Sequence, residues 1–135
     1  MTAQAMAGPR PQAYRHRDAA EKLLDYADFL ESADRALLRA IFDRGLSAAE
    51  FARAMDQPPR TVRQRVQRLV QRVGSTPFQF VLRNRYAWST ARRQVAESIF
   101  LRGLTQRQAA AKLGLSLHQV RQEIERVRVL YECQL

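Results

Sequence analysis

Cysteine is nearly absent: Cys133 stands alone, so no disulfide closes within the chain, and two distant histidines, His16 and His118, add no metal-ligand spacing. No apolar run approaches the roughly eighteen residues that a membrane span needs. The opening stretch MTAQAMAGPRPQAYRHR lacks the apolar centre of a secretory signal, which leads to the expectation of a cytoplasmic protein with a flexible tail over residues 1–17. Paired carboxylates, a nucleophile beside a base and a glycine-rich phosphate loop are also missing. Their absence argues against an enzyme, and no cofactor or metal is expected. Lysine is scarce, with two residues against 21 arginines, and from Gln57 to Ala96 there is no acidic residue at all.

What the chain does have is positive charge. Lys and Arg number 23 against 13 Asp and Glu, a formal charge of +10 and an isoelectric point near 11.1. Such a balance suits a polyanionic partner, nucleic acid first among them. The preference for arginine fits the same partner, because its planar fork grips phosphate and guanine edges through two hydrogen bonds. Apolar residues make up 46% of the chain, enough to build a core.

The chain also repeats itself. IFDRGLS at residues 41–47 returns as IFLRGLT at residues 99–105, and the alignment extends without a gap at an offset of 58 from Ser32/Thr90 to Arg68/Arg126. Twelve of these 37 pairs are identical, among them Arg35/Arg93, Arg44/Arg102, Gly45/Gly103, Ala52/Ala110, Val62/Val120, Arg63/Arg121 and Gln64/Gln122. Two units of about four helices each are therefore expected, one over residues 18–73 and one over 76–135. GSTPF at residues 74–78 marks the boundary.

Each unit has helical spacing only, which makes the expected class all-α. Leu37, Leu38, Ile41 and Phe42 recur at intervals of three and four, as do Val95, Ile99 and Phe100. Gly45 and Gly103 follow those helices at the place where a left-handed residue turns the backbone. Ser47-x-x-Glu50 and Thr105-x-x-Gln108 then carry the spacing of a capping box, so a helix restarts in each unit. A last helix follows, with Pro59 in its first turn in one unit and Ser116-x-x-Gln119 opening it in the other. Its apolar stripe is Val62, Val66, Leu69 and Val73 in the first unit, and Val120, Ile124, Val127 and Leu130 or Tyr131 in the second. Phe78, Phe80, Tyr86 and Trp88 are expected to seat one unit against the other.

Leu104, Ala110, Leu113, Gly114, Ser116, Val120 and Ile124, with QVRQEIERVR around them, resemble the helix-turn-helix of sigma-70 region 4 and of LuxR-type regulators. TVRQRVQRLVQRV at residues 61–73 resembles the recognition helix of the same group. The likeness covers some 30 residues of each unit. It implies that Ala52 and Ala110 allow a close helix crossing, and that the last helix of each unit lies in the DNA major groove. By the same resemblance the groove-facing set is Arg60, Arg63, Gln64 and Gln67 in the first unit, and Thr61 and Arg68 are expected to bind DNA beside them. In the second it is Leu117, His118, Arg121, Gln122 and Glu125. The two arginines at 63 and 121 would serve guanine, and the glutamines beside them adenine.

The expected function is thus sequence-specific binding of double-stranded DNA by a nucleoid-associated transcriptional regulator, acting as a monomer or homodimer, with recognition helices at 59–73 and 117–131. The alternative is a sigma-like adaptor whose first unit binds DNA and whose second binds RNA polymerase or another regulator. Charge favours the first unit as the stronger reader, since nine arginines fall between Gln57 and Ala96 whereas residues 116–135 balance three arginines against three glutamates. If roughly six arginines met phosphates, affinity would fall about a thousandfold between 50 and 200 mM salt.

Overall fold

A computed structural model describes residues 21–134; the expected tail at 1–17 and the start of the first unit at 18 lie outside the described residues. All regular structure among the described residues is helical. A helical stretch at 21–25 and a 3₁₀ turn, Ala27–Phe29, lead into α1, Ser32–Leu38, which continues through a π turn, Arg39–Asp43. Then come α2, Ala48–Ala54, and α3, Pro59–Val73. Helix α4, Thr76–Asn84, crosses to a second 3₁₀ turn, Arg85–Ala87, followed by α5, Thr90–Ala96, and its own π turn, Glu97–Leu101. Helices α6, Gln106–Leu113, and α7, Leu117–Gln134, complete the order. The second 3₁₀ turn, α5, its π turn, α6 and α7 each begin 58 residues after their counterparts.

Local chemistry accounts for these boundaries. In both capping boxes the hydroxyl accepts from the third backbone amide, Glu50 N–H to Ser47 Oγ at 3.0 Å and Gln108 N–H to Thr105 Oγ1 at 3.1 Å. The glutamate and glutamine side chains accept from the cap amides in return, at 3.2 and 2.9 Å. Ser116 and Gln119 make the same reciprocal pair at the start of α7. Gly45 and Gly103 stand at φ +74° and +76°, and Gly114 at +67°. Asp56, at φ +57°, takes the position of Gly114 in the first unit; short polar side chains tolerate this conformation better than most.

The π turns are a feature that apolar spacing did not announce. Arg44 N–H reaches back five residues to the Arg39 carbonyl, and Arg102 N–H to that of Glu97, both at 2.9 Å. Each widened turn is closed by the leucine after the glycine: Leu46 N–H donates to Ala40 O at 3.0 Å, Leu104 N–H to Ser98 O at 2.9 Å. A side chain at either glycine must bear the left-handed conformation, but only one of the two also meets an obstacle. At Gly45 an added Cβ would touch nothing within 4 Å among the described residues; at Gly103 it would run into the guanidinium of Arg72, which rests there from α3. Gly45→Ala is expected to cost about 1 kcal/mol and Gly103→Ala about 2 kcal/mol, compared by urea titration.

The core runs through both halves of the chain. One cluster joins Leu30, Leu37, Leu38, Val62, Leu69 and Val73 to Phe78, Phe80, Val81, Leu101 and Val127. A smaller one, Val95, Ala109, Val120 and Ile124, lies beneath α7, and Phe100 packs on both. Phe78 meets Tyr26 edge-on at 5.8 Å, and Phe80 sits between Trp88 at 5.8 Å and Tyr131 at 5.5 Å. Tyr131, not Leu130, therefore ends the buried stripe of α7. Tyr86 departs from its expected place in the core, for it is 73% exposed. Ala52 is fully buried as expected, but on α6 the fully buried alanine is Ala109, and Ala110 is half-buried. Phe51, at the position of Ala109, explains the change: a large side chain in one unit fills what a small one leaves in the other.

Candidate nucleic-acid interface

Helix α3 begins at Pro59, whose ring lacks the amide hydrogen that a first-turn residue cannot use. Its buried face is Val62, Leu69 and Val73, with Val66 half-buried. Those positions fix the rotation of the helix, and the rest of its surface follows. Arg60, Arg63, Gln64 and Gln67, spaced at three and four, form one stripe with Thr61 and Arg68 at its flanks, and all six side chains are exposed. None of the six makes a side-chain hydrogen bond or ion pair among the described residues. The stripe is thus a row of idle donors on a helix whose other face is anchored.

Two arginines of the same helix behave differently. Arg65 and Arg72 turn towards Asp34 of α1, at 3.4 and 3.7 Å. Burial pushes the Arg72 guanidinium below its ordinary pKa, while the charge of Asp34 pulls the other way. Of the five arginines on this helix, one carboxylate from another helix holds two. Partners 31 and 38 residues away lie beyond the i, i+4 spacing by which helix pairs are recognised.

Part of the wider arginine-rich stretch is partnered in the same way. Arg85 is 5% exposed, donating to Leu82 O at 2.6 Å and Tyr86 Oη at 3.2 Å, with Nε 3.3 Å from Glu97 as an ion pair. Its guanidinium also lies 4.9 Å from the Phe29 ring and 4.5 Å from that of Tyr86. Arg92 pairs with Glu123 at 3.0 Å, and Arg93 approaches Glu97 at 3.9 Å. Arg60, Arg63, Arg68 and Arg83 are the members of that stretch facing no carboxylate among the described residues.

On α7 the corresponding positions are also exposed: His118, Arg121, Gln122 and Glu125, with Leu117 half-buried. Their electrostatics differ from those of α3. Arg121 donates from Nε to Gln106 Oε1 at 3.2 Å, and Arg126, the counterpart of Arg68, is drawn onto Glu123. Glu123 is itself nearly buried between Arg92 and Arg126, a carboxylate that spacing along one helix did not reveal as a link to α5. Farther along the helix, Val129 is 48% and Leu130 36% exposed.

Among the described residues no group of three or more His, Cys, Asp and Glu is placed to hold a metal, and no helix is long and apolar enough to cross a membrane. The chain matches no protein-family model, no curated protein and no solved structure.

Proposed function

We propose that this chain is a sequence-specific double-stranded DNA-binding protein, a transcriptional regulator of the nucleoid, made of two tandem helix-turn-helix units derived from one by duplication. The units are residues 18–73 and 76–135. The common offset of 58 between their elements, including both π turns and both 3₁₀ turns, supports the duplication. The observation that carries the function is the exposed, unpaired stripe of α3. A helix with buried Val62, Leu69 and Val73 beneath it and Arg60, Arg63, Gln64, Gln67 and Arg68 on top offers what a major groove requires. Arg63 pairs with guanine, Gln64 with adenine, and Arg60, Thr61 and Arg68 steady the helix against phosphates. His118, Arg121 and Gln122 do the same from α7.

Because Asp34 draws Arg65 and Arg72 towards α1, fewer cations reach the phosphates than the composition implied. With three or four such contacts, affinity falls roughly a hundredfold between 50 and 200 mM salt. Fluorescence anisotropy of a labelled duplex across that range is the test; binding indifferent to salt defeats the reading.

One observation favours a second arrangement. Glu123 and Arg126 of α7 are paired within the protein, and Val129 and Leu130 leave apolar surface on the same helix. In this alternative the first unit reads DNA and the second binds RNA polymerase or another regulator.

A further inference from the structure

Two of the twelve identities between the repeats, Arg35/Arg93 and Arg44/Arg102, take no part in either recognition helix. In each unit they line a cleft on the α1 or α5 side. The first, about 250 Å³, is bordered by Ser32, Arg35, Ala36, Arg39 and Arg44. The second, about 380 Å³, is bordered by Tyr86, Arg93, Gln94, Glu97, Ser98, Arg102 and Leu113. Arg102 has no ion pair among the described residues, and Arg93 only the long contact to Glu97. Ser98 is 1% exposed, yet its hydroxyl finds no hydrogen-bond partner among the described residues. A buried orphan hydroxyl beside two guanidinium groups is costly to keep empty-handed.

We propose that the second cleft binds a phosphate group. Arg93 and Arg102 supply the charge, while Ser98 Oγ–H and the Gln94 amide donate alongside. Tyr86 Oη accepts from Arg85, which leaves its own proton to give. Its ring lies under Arg85 at 4.5 Å and near Arg93 at 5.9 Å, holding both cations in place. Glu97 adds a negative charge to the cleft wall, but Arg85 and Arg93 share it, so the surroundings remain cationic. A carboxylate is satisfied by one planar fork; donors arriving from α5, its π turn and the 3₁₀ turn suit the tetrahedral oxygens of phosphate. The first cleft is a reduced counterpart: Ala40 replaces Ser98, Ala36 replaces Gln94, and Arg39 is diverted to Asp28 at 3.0 Å.

The phosphate comes from a nucleic-acid backbone or from a free phosphate monoester, and the experiment separates them. Thermal unfolding of the full chain is followed with inorganic phosphate against chloride at equal ionic strength. At about ten times its dissociation constant, phosphate raises the midpoint by about 5 °C. Arg102→Gln abolishes that response, whereas Arg63→Ala and Arg44→Gln retain it. Ser98→Ala removes an unsatisfied hydroxyl, so the phosphate-free protein unfolds at the same or a higher temperature while its response to phosphate shrinks. If Arg102→Gln also weakens duplex binding about tenfold, the occupant is a backbone phosphate; with duplex binding unchanged, it is a free monoester. Absence of a phosphate response in the unaltered chain, or an equal response in Arg102→Gln and Ser98→Ala, overturns the proposal whether or not the chain binds DNA.

Discussion

Phe78→Ala is expected to cost about 4 kcal/mol and to bring both halves of the chain down in one transition. Phe78 is 1% exposed and belongs to the cluster that joins Leu37, Val62 and Leu69 to Leu101 and Val127. Its ring meets Tyr26 edge-on, so truncation removes an aromatic pair as well as buried area and leaves a void between the units. Against a total stability of about 5–15 kcal/mol for a domain of ordinary size, that loss is large. The unfolding temperature should drop by roughly 15 °C, read by circular dichroism, and calorimetry should show a single peak. Two separated transitions in the unaltered chain would mean that the units fold independently and that α4 merely connects them. Phe78→Leu keeps most of the apolar volume and should cost closer to about 1 kcal/mol.

The second large effect concerns binding without folding. Arg63 is exposed and makes no ion pair among the described residues, so Arg63→Ala should leave stability within about 0.5 kcal/mol of the parent. Its effect on a cognate duplex should nevertheless be a loss of about 10- to 100-fold, together with relaxed preference at one base pair. Arg121→Ala decides between the two arrangements of the proposed function. If both units read DNA, each of the two substitutions weakens binding. If the second unit serves a protein partner, Arg121→Ala leaves duplex affinity intact and α7 shows its contribution in polymerase binding instead. Anisotropy titrations of the two variants against one labelled duplex make the comparison. An Arg63→Ala protein that binds as tightly as the parent would remove α3 from the interface.

The legible parts of this fold are those written within a few residues of one another. Gly45 and Gly103 announce left-handed turns because glycine alone takes them without strain, and the pairs of a hydroxyl with a glutamate or glutamine announce helix starts because their partners stand three positions apart. Exposure of Arg60, Arg63, Gln64, Gln67 and Arg68 follows from the valine and leucine stripe on the opposite face. The π turns have no residue signature, since they depend on how one widened loop of backbone meets its neighbours. Asp34, Glu123 and Arg85 were silent for a related reason: each acts through partners on other helices. The exchange of Phe51 and Ala109 is packing complementarity, which a fixed offset between repeats does not express.

Arg72 leaves the end of α3 and lies in the notch of the Gly103 turn, above a core common to both halves. Such a joint resists independent swivel of the two halves. Under the proposed function the protein behaves as a rigid caliper whose jaws are set at a fixed opening and rotation along the duplex. Five base pairs inserted between its two target sequences would place the second on the far side of the double helix, out of reach of a caliper that has no hinge.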